Sequence, residues 1–172
     1  MRLLFLGDSL VEFGNWQNRF PGHAVFNAGM AGETVAGLLA DLPRHLRRCP
    51  DPERVFVMIG ANNLLREEHG FLPDYERILN TLGNTLSPAR ITVTSLPPIR
   101  AAHLAPSAVA RVNHGLLQLS RKKKTSFLDL FSAFHTDAPA VDACFTEDGV
   151  HLSDLGYAIW SACLARGLRQ EP

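Results

Sequence analysis

The chain has only three cysteines in 172 residues, Cys49, Cys144 and Cys163. That number is odd and the spacing fits no metal site, so neither a disulfide framework nor a zinc module is expected. The three read as free thiols in a reducing, cytoplasmic compartment. A basic amino-terminal region followed by a long apolar segment and a cleavage site is missing, and no secretory leader is expected. No apolar run has the length of a membrane span. Net charge is missing too. Seventeen Lys and Arg balance seventeen Asp and Glu, so bulk charge selects neither nucleic acid nor an acidic membrane surface as a partner. Neither phosphate-cradling pattern, Gly-x-x-x-x-Gly-Lys-[Ser/Thr] or Gly-x-Gly-x-x-Gly, occurs, which disfavours a nucleotide-binding module. No Gly-x-Ser-x-Gly elbow occurs, which removes the α/β-hydrolases. No pair of histidines brackets a glutamate at helical spacing, so no metal is expected, and no cofactor.

What remains is a chain with 46% hydrophobic and 20% charged residues, ordinary for a globular protein with a sizeable core. Internal repeats, low-complexity tracts and long linkers are absent, and residues 1–172 read as one domain. Short apolar runs alternate with longer amphipathic stretches. Strands are expected over residues 3–6, 24–27, 55–59, 91–94 and 125–128. Helices are expected over 33–42, 73–86, 107–123 and 154–168, with Ser153 as an N-cap of the last. Pro43 is expected to begin a new turn of helix ending near Cys49. Residues 11–21 read as a loop or short helix, 96–106 as a Pro-rich loop and 133–145 as a loop. Strands alternating with helices in this way specify a parallel sheet covered on both faces.

The first strand ends in Gly7-Asp8-Ser9, and three later stretches stand out: Asn27-Ala28-Gly29-Met30-Ala31-Gly32, Ile59-Gly60-Ala61-Asn62-Asn63 and Asp148-Gly149-Val150-His151. Each alone has a bland reading. Asp8-Ser9 serves as a turn or helix N-cap, Asn62-Asn63 as turn residues, and His151 as a satisfied core or surface histidine. In this order, however, the four stretches resemble the four sequence blocks of the SGNH (GDSL-type) hydrolases, from Gly7 to His151.

The resemblance implies a three-layer α/β/α, flavodoxin-like fold with a parallel sheet of about five strands. It implies a serine esterase or acylhydrolase, with Ser9, Gly32, Asn62 and His151 as the family's named residues and Asp148 completing a triad. Ser9 would be the nucleophile, and the backbone N–H groups of Ser9 and Gly32 with the Asn62 amide would form the oxyanion hole. Chemistry agrees with these assignments. A serine needs a base to take its proton. Asp148 and His151, three apart on one turn, can share a face, so the carboxylate can receive one imidazole N–H and leave the other nitrogen for Ser9. One departure is visible: Asn63 stands where the family usually carries aspartate, which puts local support of that loop in question.

The substrate is not encoded in these motifs. Short connections without a lid insertion suggest small or short-chain esters. A different reading, a non-catalytic relative that binds acyl or carbohydrate ligands, is opposed by the five filled positions. Phe13, Trp16 and Phe20 fit either an acyl pocket beside Ser9 or the core, with packing the weightier reading. His103 reads as a solvated loop residue. Arg121-Lys122-Lys123-Lys124 reads as helix-closing charge rather than a nucleic-acid patch. Asp129 and Asp142 stand as the next candidates if Asp148 is not the acid. Nothing in the sequence fixes an oligomeric state.

Overall fold

A computed structural model describes residues 1–87, 90–105 and 107–170 of the chain. Pro106, placed above in the Pro-rich loop, lies outside the described residues. Five parallel strands form one sheet: β1 (Arg2–Gly7), β2 (Ala24–Gly29), β3 (Arg54–Met58), β4 (Ile91–Thr94) and β5 (Ser126–Leu128), in the order β2-β1-β3-β4-β5. This is the flavodoxin-like order, and the chain reverses its direction of travel at β1. Strands β1 and β3 are buried on both faces, which is why they read as continuous apolar runs rather than as alternating ones.

Among the described residues, eight α-helices connect and cover the sheet: α1 (Ser9–Glu12), α2 (Trp16–Arg19), α3 (Val35–Arg48), α4 (Ala61–Leu65), α5 (Leu72–Thr85), α6 (Ala108–Lys123), α7 (Leu130–Thr136) and α8 (Asp154–Gln170). Helices α3, α5 and α6 lie side by side, and α8 packs with α7 and β5. The α8 layer meets the sheet through aromatics. The Phe5 ring stacks on Trp16 at 4.6 Å between centroids, and Trp16 meets Trp160 of α8 edge-on at 4.7 Å. Each such pair adds about 0.5–1.5 kcal/mol beyond the area it buries. In the opposite layer Val35, Leu38 and Leu42 of α3, with Tyr75, Ile78, Leu79 and Leu82 of α5, are buried. The Tyr75 hydroxyl donates to the Val57 carbonyl of β3 at 3.3 Å.

Two expectations need correcting. Pro43 does not start a new turn; it lies inside α3. The pyrrolidine has no N–H, and an interior proline costs a helix about 3 kcal/mol. The buried row Val35, Leu38, Leu42 and His45 crosses the proline without a change of face, and burial of that row offsets the loss. Residues 133–145 are not one loop either. They begin within α7, whose N-cap Asp129 accepts from the Ser132 N–H at 3.0 Å and the Ser132 hydroxyl at 2.7 Å. The basic run behaves as expected. It closes α6, and Lys122 and Lys123 both reach Glu76 at 2.7 Å. Among the described residues, no helix is long and apolar enough to cross a membrane.

Gly7 is where sheet and site meet most closely. A Cβ there would lie 2.1 Å from the Met58 carbonyl oxygen and 2.4 Å from Val11 Cγ2. Backbone cannot give way as a side-chain tip can, so Gly7→Ala should destabilise by about 3 kcal/mol, at the upper end for overpacking. A Cβ at Gly22 meets nothing within 4 Å, and Gly22→Ala should be neutral or slightly stabilising. Urea melts of the two variants check this; similar midpoints would mean β1 and β3 can move apart at Gly7.

Candidate active site

Parallel register brings three loops out on one edge of the sheet. Gly7 pairs with Gly29 of β2 and Met58 of β3, so Ser9, Gly32 and Asn62 all lie just past the carboxyl ends of adjacent strands. Ser9 opens α1. Asp8 is its N-cap, its Oδ1 accepting from the Leu10 N–H at 3.0 Å. The capping reading and the functional one therefore hold together: Asp8 fixes the helix start, and the helix start presents Ser9.

The Ser9 Oγ lies 3.0 Å from His151 Nε2, across 142 positions of sequence. His151 Nδ1 lies 2.6 Å from Asp148 Oδ2. The carboxylate accepts at Nδ1, so that nitrogen carries the proton and Nε2 is left to accept from the Ser9 hydroxyl. The other Asp148 oxygen holds its own turn. It accepts from the Val150 N–H at 2.8 Å, the His151 N–H at 2.9 Å and the Thr146 hydroxyl at 2.8 Å. An antiparallel bridge between Phe145 and Leu152 closes the base of this turn. The two other candidate acids are elsewhere: Asp129 caps α7, and Asp142 pairs with Arg100.

Asp8 and Asp148 are pushed in opposite directions. Desolvation would raise the Asp148 carboxyl, but the His151 ring, the Val150 and His151 N–H groups and the Thr146 hydroxyl outweigh it and hold it well below the usual carboxylate range. Asp8 is wholly buried, and its Oδ2 has no partner. Burial lifts it to about 7, although the Leu10 and Ala61 N–H groups and the nearby His151 pull it back. Through the Leu10 N–H this carboxyl fixes the start of α1.

Gly32 sits at φ +77° with open space where a Cβ would be. A side chain would be strained there, and glycine leaves its N–H open to a ligand. The turn before it is held by the Glu12 carboxylate, which accepts from the Ala31 N–H at 2.6 Å. Asn62 lies in the first turn of α4. One hydrogen of its amide goes to the Glu33 carbonyl at 2.9 Å, which joins the second and third loops and leaves the other hydrogen for a ligand.

Sequence reasoning overlooked this supporting layer. Asn27 accepts from the Gly29 N–H at 3.0 Å and donates to the Val11 and Glu12 carbonyls at 3.1 and 3.0 Å. The Asn27-x-Gly29 pattern at a strand end was the available signal, since asparagine commonly bonds the backbone two residues on. Glu12 carried no signal, because its partner is nineteen positions away. Among the described residues, no group of three or more His, Cys, Asp or Glu side chains could hold a metal ion.

The sequence model of the GDSL-like Lipase/Acylhydrolase family matches residues 5–159. The chain belongs to this family. It is accordingly a hydrolase of ester bonds. A lipase/acylhydrolase from Enterococcus faecalis shares the fold with a TM-score of 0.83 at 19% identity, over 99% of this chain and 97% of that one. An acetylxylan esterase from Geobacillus stearothermophilus superposes with a TM-score of 0.76 at 23% identity, over 99% of this chain and 94% of that one. A GDSL-like lipase from Bacteroides thetaiotaomicron gives 0.77 at 19% identity, over 98% and 88%. No curated protein matches the sequence.

In this GDSL-like hydrolase Asn63 is buried, and both ends of its amide are hydrogen-bonded. Its Oδ1 accepts from the Val35 N–H at 2.9 Å, at the start of α3, and its Nδ2 donates to Glu68 Oε2 at 2.9 Å. An aspartate could make the first bond but would confront the Glu68 carboxylate with a like charge. The loop is therefore supported with asparagine in place. The three aromatics separate: Trp16 and Phe20 are core residues, and Phe13 is 55% exposed with its ring 5.5 Å from the His151 ring. His103 is an exposed residue that bonds the Leu65 carbonyl at 3.1 Å.

Asp8 gives a pH-dependent stability. Its carboxyl is raised in the folded state above its ordinary value of 3.8, to about 7. Protonated Asp8 is tolerated fully below about pH 4, and stability is lost as pH rises through 7. The uncharged Asp8→Asn variant lacks this loss, so its melting temperature relative to wild type should climb between pH 5 and pH 8. Thermal melts at both pH values test this, and a constant difference would mean Asp8 stays ionised throughout.

Proposed function

We propose that the chain is a serine esterase acting on small or short-chain esters through Ser9, His151 and Asp148, with Ser9, Gly32 and Asn62 as oxyanion donors. The observation that carries the reading is the unbroken contact from Ser9 Oγ to His151 Nε2 at 3.0 Å and from His151 Nδ1 to Asp148 at 2.6 Å. Ser9 Oγ attacks the ester carbonyl carbon while its proton passes to His151 Nε2. The carbonyl π electrons move onto oxygen, and that oxyanion accepts from the Ser9 and Gly32 N–H groups and the Asn62 amide. As the tetrahedral adduct collapses, the carbon–oxygen bond to the alcohol breaks and Nε2 gives its proton to the departing oxygen. Water then gives a proton to Nε2 and attacks the acyl carbon; as this second adduct collapses, the bond from carbon to Ser9 Oγ breaks, Nε2 gives its proton to Oγ, and the acid is released. Asp148 holds the imidazole tautomer and faces the imidazolium as it forms. Asp148 stays ionised well into acid, so its negative charge is in place opposite the imidazolium.

Short connections around the site and the acetyl esters named for the structural neighbour from Geobacillus support a small acyl group. Three free, buried cysteines support a reducing, cytoplasmic setting. Residues 1–172 are proposed as one domain without a nucleic-acid partner.

Ser9→Ala should fold normally and lower kcat by about 10⁴ or more. It should also abolish labelling by a fluorophosphonate, which wild type takes up. A variant that keeps a tenth of wild-type turnover on p-nitrophenyl acetate would remove Ser9 as nucleophile. Wild type that neither labels nor turns over would favour the ligand-binding reading.

Asn62→Ala should lower kcat by about 10²–10³ with little change in KM, because the amide acts on charge that develops in the transition state. Steady-state kinetics on the same ester checks this. A variant that changed only KM would make Asn62 a ground-state contact.

A further inference from the structure

Large hydrophobic side chains exposed to solvent are few among the described residues: Met1, Phe13 and Met30. Met1 is the first residue of the chain. The other two flank the site, Met30 in the turn that leads to Gly32 and Phe13 at the C-cap of the helix that begins with Ser9. Phe13 is the more telling. Its neighbours in sequence show what an aromatic does here when it serves packing: Trp16 is 1% exposed and Phe20 6%, both against the core. Phe13 keeps 55% of its surface open to water, yet its ring does not hang free. It lies 5.5 Å from the His151 ring, tilted by 39°. Its position is tied to the nucleophile, because the Phe13 N–H donates to the Ser9 carbonyl at 3.0 Å. The ring is thus held beside His151 with about half its surface open to a bound molecule.

The chemistry says which part of a substrate arrives there. His151 Nε2 takes the Ser9 proton and returns it to the departing alcohol oxygen. The alcohol therefore leaves from the imidazole side of the tetrahedral adduct, whereas the oxyanion points to Gly32 and Asn62. A group packed against the imidazole meets the alcohol half of the ester. We propose that Phe13 is a specificity-determining residue that stacks on the leaving alcohol and selects esters of ring alcohols, aryl or pyranose, which present a flat C–H or π face. This rests on the serine esterase reading above.

Kinetics of wild type, Phe13→Ala and Phe13→Trp on phenyl acetate, an acetylated xylopyranoside and ethyl acetate test the proposal, with phenyl butanoate varying the acyl group. Phe13→Ala should lower kcat/KM for a ring acetate about fivefold to tenfold, mainly through KM, the size of one lost aromatic contact. For ethyl acetate the change should be under about twofold. Phe13→Trp should restore the preference, and phenyl butanoate should show the same loss as phenyl acetate. Which ring ester loses more identifies the alcohol as aryl or sugar. Equal losses on all three acetates, a loss that grows with acyl length, or a displaced pH profile would overturn the proposal and leave Phe13 as packing for His151. Those outcomes leave the esterase reading intact. A wild type with no Ser9-dependent turnover of any of these esters would defeat that reading, and this inference with it.

Discussion

The level ends of β1, β2 and β3 govern everything else. With Gly7 opposite both Gly29 and Met58, the chain leaves three neighbouring strands at one height, and the loops that follow have no choice but to face one another. Both faces of β1 are buried, so a slip of one residue in either pairing would send each of its side chains into the layer packed around its neighbour, and the register is enforced by the whole core rather than by the site. The site lies where the chain reverses direction across the sheet, between β1 and β3, the usual crevice of a doubly wound fold. The sheet supplies position, and hydrogen bonds supply aim.

That aim is electrostatic. Asp8 precedes Ser9 and Asp148 contacts His151, and their surroundings drive the two carboxyl groups apart. Asp148 is half-exposed and accepts four hydrogen bonds, so it remains an anion and can face an imidazolium. Asp8 is wholly buried with one unpartnered oxygen, so its proton is held to near neutrality. A separation of two carboxyl groups by environment is how a fold assigns different tasks to one chemical type. Here one holds the imidazole of the proposed base, and the other caps the helix that carries Ser9.

Most of this was legible in the sequence because it is local. Buried parallel strands announce themselves as apolar runs, and the four blocks named Ser9, Gly32, Asn62, Asp148 and His151 by their order. The Asp148–His151 contact was legible because both residues belong to one turn. Features that depend on distant partners were not. Glu12 bonds Ala31, and Glu33 receives Asn62, across separations that leave no period to read. Pro43 misled because the penalty for a proline is local, whereas the burial that offsets it is tertiary. Helix α7 was missed although Asp129 and Ser132 form an N-cap, because seven residues are too few for a clear amphipathic period. Phe13 could not be told from Trp16 and Phe20 for a related reason: exposure of an aromatic is decided by what lies opposite, and His151 comes from the far end of the chain.

Asn63 shows how a departure from a family pattern can leave a loop supported by hydrogen bonds. The position must do two things, accept the Val35 N–H that starts α3 and meet whatever lies beneath the α4 turn. Asparagine keeps the acceptor and exchanges a second acceptor for a donor. That exchange is favourable only opposite a group that accepts, and Glu68 is that group, its own N–H returning to the Asn63 carbonyl at 2.8 Å. Two bonds between the same two residues then close the end of α4, one residue beyond Asn62. The Asn62 amide, the proposed oxyanion donor, is thus braced by its neighbour, and what the fold requires at position 63 is a set of satisfied hydrogen bonds rather than a charge.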